Sequence, residues 1–521
     1  MTGTTIRMGL LAALVSLLGA CGPKGATEGT TPATGAQDGA DPTRAEAERE
    51  PPPDPGEPKD ISFPPIVRTK TDQGLEIDTV PWDKLPVVHV QLVIESGGET
   101  DPEDLPGLSH LVAAMLKEGT KKRTSAELAE QVEFLGADLS TSSDEENVYI
   151  SMRALRDHLD ETLDILADVA MNPTFRNDEL RKLKKRELDR LALESKQPGW
   201  LARRAFHAEL YGDHPYAIVD TTPEAVEKVK RADLIRWHRK FVAPNNAFLV
   251  VTGDVTADEV QASAGEAFAK WRSRDVPEPE YAKPPTRDGR QIILVDRPES
   301  VQSILYLGNL AIPRAHEDWV PLKVANQVLG GSAASRLFMD LRERRSLTYG
   351  AYSSVDGRVR TAPFRASASV RNEVTGQAME AFFEHLDRVA TTAPPESELA
   401  NARTYLSDSF PLQIDTPGKI ADLVADLRIY ELPDDYWENY PDRIREVTSE
   451  EALEAAKAHV RPDEALVVVV GRAADVLEPL RQFGPVRVVD GKGKVVSEFE
   501  RVAKDAEASE DGGSAAPTPQ K

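Results

Sequence analysis

Two segments of this chain are built alike. Residues 244–253 read Pro-Asn-Asn-Ala-Phe-Leu-Val-Val-Thr-Gly, and residues 462–471 read Pro-Asp-Glu-Ala-Leu-Val-Val-Val-Val-Gly. The prolines, like the glycines, are 218 residues apart. In each case a helical pattern approaches the proline, and an apolar run of strand length then ends at glycine. The starts of the two halves also match in kind: 87–94 and 301–307 are apolar strand patterns, each followed by a loop and an amphipathic helix. Solenoid repeats have periods of roughly 20–50 residues, so a period this long implies two related domains instead. The mixed order of strands and helices predicts an α+β fold, each domain a mixed sheet packed with helices. Pro277, Pro279, Pro284 and Pro285 interrupt a polar stretch and mark the linker. The predicted bounds are 61–275 for the first domain, 276–290 for the linker and 291–490 for the second domain.

Local patterns fill in the first domain. Thr124-Ser125-Ala126-Glu127 is a capping-box sequence. Leu128, Val132 and Leu135 recur on one face after it, and Gly136 is placed to end that helix. Residues 148–152 form a short strand pattern. Leu155, Leu159, Leu163, Leu166 and Val169 make a second helical stripe, closed by Asn172-Pro173. These stripes read as core.

The formal net charge is -24. That excludes nucleic acid as a partner, since phosphate binding needs clustered Lys and Arg, and it excludes electrostatic docking on an anionic membrane. Cys21 is the single cysteine, so no intramolecular disulfide or multi-Cys metal site can form. Before it lie Arg7 and an apolar run, 8–18, too short to span a bilayer that takes ~20 apolar residues. The run reads as a signal-peptide core. It ends in Leu18-Gly19-Ala20-Cys21, which resembles a bacterial lipobox. The expectation is a signal peptide over 1–21 and lipid attached at Cys21; a plain secretory signal is the alternative. Gly22 after the cysteine resembles the sorting signal for the outer membrane, with the protein facing the periplasm. Residues 22–60 read as a disordered tether and 491–521 as a disordered acidic tail.

None of the nine histidines is three or four residues from another, so no helical His pair exists to hold a catalytic zinc. No Gly-rich phosphate loop or nucleophile motif occurs either. The segment 107–120, Gly-Leu-Ser-His-Leu-Val-Ala-Ala-Met-Leu-Lys-Glu-Gly-Thr, resembles the zinc helix of the pitrilysin/insulinase metallopeptidase family, whose motif is H-x-x-E-H. His110 stands at the first His, Ala113 at the Glu base and Ala114 at the second His. The family's third ligand falls near Arg190, with Asp189 beside it and Glu187 and Glu194 about one turn away. Catalytic zinc needs three protein ligands and a water, and methyl groups can neither ligate nor take a proton. His110 is thus expected to be a relic, and the chain to have no catalytic residue or metal of its own.

The resemblance extends over about 61–490, through Leu210-Tyr211-Gly212-Asp213-His214-Pro215-Tyr216, Val295-Asp296-Arg297-Pro298 and the run 326–349. In that run Arg342 and Tyr349 match the family's R-x6-Y element, which reaches a substrate at the other domain's zinc. A Tyr hydroxyl suits a developing oxyanion, and an Arg fork suits peptide carbonyls. Gly330 and Gly331 are expected to expose backbone to a peptide. The plain alternative is a surface ion pair, a strand-opening aromatic and a simple turn. The resemblance implies a non-catalytic, substrate-binding subunit of a heteromeric zinc peptidase. Its partner would be a homologous H-x-x-E-H subunit carrying the zinc. A scaffold of the same fold is the second reading, and an active metalloendopeptidase with atypical ligands the third.

Overall fold

Residues 62–502 are described in a computed structural model of the chain. The predicted lipobox at Cys21, the tether and residues 503–521 lie outside the described residues.

The first half runs β1 (Val67–Lys70), β2 (Glu76–Pro81), β3 (Val87–Ile94), α1 (Leu108–Leu116), α2 (Ser125–Phe134), β4 (Asp138–Ser143), β5 (Val148–Leu155), α3 (Leu159–Met171), α4 (Asn177–Glu194), α5 (Pro198–Tyr211), α6 (Pro223–Lys228), α7 (Arg231–Phe241), β6 (Ala247–Gly253) and α8 (Ala257–Ala267). The second half runs β7 (Gln291–Asp296), β8 (Gln302–Leu310), α9 (Trp319–Leu329), α10 (Arg336–Phe338), β9 (Thr348–Val355), β10 (Pro363–Arg371), α11 (Thr375–Thr391), α12 (Glu396–Asp408), α13 (Pro417–Ile429), α14 (Tyr436–Glu446), α15 (Ser449–His459), β11 (Leu466–Gly471), α16 (Ala473–Leu480), β12 (Val486–Val489) and β13 (Val495–Phe499). The strand order is β1-β2-β6-β3-β5-β4 in one sheet and β13-β12-β7-β11-β8-β10-β9 in the other. Five neighbours therefore recur in the same order, β2-β6-β3-β5-β4 and β7-β11-β8-β10-β9. The one parallel pair in each run also corresponds, β2 with β6 and β7 with β11. The duplication in the sequence is a duplication of topology.

The matched segments are the central strands β6 and β11, and every residue of both is buried. A strand covered on both faces needs a continuous apolar run, not an alternating one. Their closing glycines are steric: a Cβ on Gly253 would lie 2.2 Å from the Val87 carbonyl oxygen, and one on Gly471 would lie 2.6 Å from Ser303 Oγ.

Each sheet borrows its second cover from the other half. Helix α5 lays Leu201, Ala202, Phe206 and Leu210 on Ile293, Val295, Val468 and Val470 of the second sheet. Helix α13 lays Ile420, Ala421 and Val424 in one core with Val93, Phe248 and Val250 of the first. Polar contacts follow the same exchange. Thr252 donates to the Pro417 carbonyl at 2.7 Å, and Arg428 forks onto Asp78 at 2.5 and 2.7 Å. The described residues accordingly form one compact unit.

The structure revises four local expectations. Leu155 ends β5 and is half exposed; the helical stripe starts at Leu159. Strand β5 runs three residues beyond 152, because β3 offers it partners as far as Val87. The C-terminal tail starts later than residue 491: β13 pairs antiparallel with β12, closed by a turn at 490–494. The linker has neither helix nor strand over 271–290, yet Tyr281 within it stacks on His214 at 5.4 Å. The capping box of α2 is present with both its bonds, and Gly136 follows that helix at φ 60°.

Candidate functional site

Helix α1 starts under unusual control. Asp101, half-buried, accepts from the backbone N–H groups of Gly107 and Ser109 at 2.8 Å each, and from Ser109 Oγ at 3.1 Å. These bonds satisfy donors that a helix start leaves free. Gly107, at φ 82°, lets the 218–221 loop press on this turn; a Cβ there would lie 2.5 Å from Thr221 Cβ. His110 follows on the first turn and lines a pocket of about 500 Å³ between α1, α4 and the 218–221 loop. Every residue lining that pocket belongs to the first half.

The pocket's chemistry is set by Arg190. Its guanidinium donates to Glu187 at 2.8 Å, to Glu194 at 2.8 Å and to both oxygens of Asp220 at 2.9 and 2.8 Å. Trp200 Nε1 and the Thr221 N–H also donate to Asp220. The hydrogen bond to Asp220 leads in holding Arg190 protonated well above the usual guanidinium value. Burial by itself would raise Asp220; the Arg190 bonds outweigh it and hold the carboxyl below its ordinary range. His110, and then Arg190, hold Glu187 low as well.

The family's zinc does not fit these residues. His110 Nε2 and Glu187 Oε1 are 3.9 Å apart. Ala113 is packed in the core, and Ala114 offers a methyl group. The carboxylates that could have turned to a metal are already engaged by a covalently attached cation, which a metal ion would have to displace. The sequence located Arg190 at the third-ligand position; Asp220, thirty residues on in a loop, carried no local signal.

The second half keeps an open pair. A π-helical turn, Met339–Arg344, continues α10, and Ser346 at φ 52° turns the chain into β9. Such irregular backbone clusters at functional sites. The Arg342 guanidinium lies 4.4 Å from the Tyr349 ring and 4.9 Å from the Phe338 ring, with Nε 3.2 Å from Glu343. Tyr349 is 84% exposed. It lies where the β9–β10 register shifts, Thr348 facing Val370 and Ala351 facing Ala368. A bulge on an edge strand re-aims a side chain. Arg342 and Tyr349 are thus brought together, and neither lines the His110 pocket.

Gly330 does not meet the expectation of exposed backbone. It is buried, its N–H donates to the Asn326 carbonyl and its own carbonyl accepts from Ser353 N–H, both at 2.9 Å. A Cβ on Gly330 would lie 2.4 Å from Ser353 N; one on Gly331 would lie 2.2 Å from Gln327 Oε1. The pair is small because α9 ends tightly against β9. Folding also assembles His316, Asp318 and His459, which no local spacing suggested: His459 Nε2 lies 2.7 Å from Asp318 Oδ2, and His316 Nδ1 lies 3.8 Å from it. This group ties the start of α9 to the end of α15.

Comparison with known proteins gives matches to both halves. The sequence model described as insulinase (peptidase family M16) matches residues 83–222, and that described as peptidase M16 inactive domain matches 228–406. An uncharacterized zinc protease of Mycobacterium leprae is 27% identical over 294 residues, 56% of this chain and 66% of that protein, just under two thirds of its length. A Helicobacter pylori protein described as a non-peptidase homolog, YmxG, is 23% identical over 392 residues, 74% of this chain and 89% of that protein. Among solved structures, the peptidase M16 inactive domain from Pseudomonas fluorescens superposes with a TM-score of 0.74 at 27% identity, covering 78% of this chain and 98% of that one.

Proposed function

Because this chain belongs to the insulinase (M16) peptidase family, we propose that it is the non-catalytic, substrate-binding subunit of a heteromeric zinc peptidase that cuts peptides in the cell envelope. The observation that carries the reading is an asymmetry between two arginines. Arg190 stands near the position where the resemblance puts the third zinc ligand, and it is bonded to Glu187, Glu194 and Asp220. Arg342 and Tyr349 are left facing solvent, outside the pocket of their own chain. Groups that touch no reacting centre in their own subunit suit one that another subunit supplies. The zinc then belongs to a homologous partner carrying H-x-x-E-H. Tyr349 donates its hydroxyl to the oxyanion formed at the scissile carbonyl, and Arg342 holds the peptide's backbone carbonyls. Lipid on Cys21 keeps the pair at the outer membrane, facing the periplasm; among the described residues no helix is long and apolar enough to cross a membrane.

The test is reconstitution. The full chain is mixed with an exported relative that has an intact H-x-x-E-H, and peptide turnover is measured with and without it. Turnover should require both chains, and Arg342→Ala and Tyr349→Phe should lower it ~100-fold or more, as removal of an oxyanion donor does, while co-purification is unchanged. Wild-type rates in both variants remove the assigned roles. A chain that captures no such relative is a scaffold of the same fold.

A further inference from the structure

A second, smaller cavity lies in the other half, behind the glycine turn. It occupies about 260 Å³ between α9, α11, α12 and the 332–336 segment, room for roughly eight waters at ~30 Å³ each or one terminal residue of a peptide. Arg336 lines it with a side chain only 5% exposed. Nε of Arg336 donates to Glu398 at 2.7 Å and Nη2 lies 2.7 Å from the same oxygen, while neither Nη1 nor Nη2 makes a hydrogen bond among the described residues. His385 lines the same cavity; its Nε2 lies 2.9 Å from Asp340, and its buried Nδ1 has no partner. Arg344 and Arg388 complete the charge at its rim. Three guanidinium groups thus stand against two carboxylates, Glu398 and the Asp340 that pairs with Arg344 and His385.

Buried donors are nearly always satisfied, and an unsatisfied one in a cavity marks the place of something that binds there. A guanidinium with a free edge in a net positive pocket selects an oxyanion, and its planar fork matches a carboxylate best. We propose that this cavity captures a carboxylate group, with Arg336 Nη1 as its inner donor and Arg388 and Arg344 as the outer charge. The carboxylate comes either from a peptide C-terminus or from a free small acid. The proposal does not depend on the peptidase pairing and is measured on the isolated full chain.

Calorimetric titration uses two peptides of one sequence, one ending in a free acid and one in an amide, with succinate alone as a third probe. The free-acid peptide should bind at least 10-fold more tightly than the amide, and Arg388→Glu, a rim change that leaves the core intact, should weaken it at least 10-fold. Arg336→Gln should abolish binding, with its folding followed by circular dichroism. Saturable succinate binding that Arg388→Glu weakens, with no difference between the peptides, supports the same site with a free acid as its source. No saturable binding by any probe, or binding indifferent to Arg388→Glu, overturns the proposal and leaves the cavity to water.

Discussion

Arg190 and Arg342 stand in the two halves of one duplicated fold, and their surroundings differ in kind. Arg190 meets three carboxylates, two of them largely buried, and its charge is spent inside the protein. Arg342 meets one carboxylate and two aromatic faces, one of them on the exposed Tyr349. The donors of Arg190 are taken up by carboxylates of its own chain, which leaves them engaged inside the protein. A cation resting on an aromatic ring at the surface keeps its donors available. The same topology therefore carries a closed position and an open one.

The sharpest way to break this comparison is to remove both arginines in turn. Arg190→Ala strands Glu187, Glu194 and Asp220 and should cost about 3 kcal/mol, the low end for a broken buried pair because part of the cluster is solvated. Arg342→Ala should cost less than about 0.5 kcal/mol, as surface changes do. Urea unfolding of both variants decides; equal losses would erase the distinction between the two positions.

A second prediction concerns the seam that lets the halves act as one body. Glu146 of the first half is buried against Tyr216 and accepts from Val359 N–H of the second at 2.8 Å. Burial leads in pushing its carboxyl up from 4.5 to about 7. The native state then holds a proton that the unfolded state has lost, so stability falls as pH rises from about 4.5 to about 7. Glu146→Gln should flatten that slope by about 3 kcal/mol across the window, at about 1.4 kcal/mol per unit. Unfolding midpoints measured at pH 4.5 and 7.5 would show it; an unchanged slope places the proton elsewhere.

Next comes the glycine turn. Gly330→Ala forces a methyl onto Ser353 N and should cost about 1–2 kcal/mol by overpacking. A variant of unchanged stability would return Gly330 to the exposed role that the sequence suggested. Thr124→Ala, which removes the capping box of α2, should cost about 1 kcal/mol by thermal unfolding.

Much of the architecture was legible because its causes are local. The apolar runs of β6 and β11, the two bonds of the Thr124 cap and the α3 stripe from Leu159 all follow from residue type and spacing. Leu155 was misread because one leucine fits the end of a strand as well as the preceding turn of a helix. The residues after 491 were misread because β12 supplies a partner that composition cannot reveal.

For the site, the sequence by itself determined the loss: alanines at 113 and 114 cannot bind a divalent ion or take its water's proton, whatever surrounds them. It also determined that Arg342 and Tyr349 persist. Tertiary structure decided what took the vacated place, and that the two halves cover each other's sheets. It also decided that Gly330 is packed away while Tyr349 stands free. Those outcomes depend on residues far apart in the chain, Arg190 with Asp220 and α13 with β6, and distance in space is set by the whole fold, not by any window of sequence.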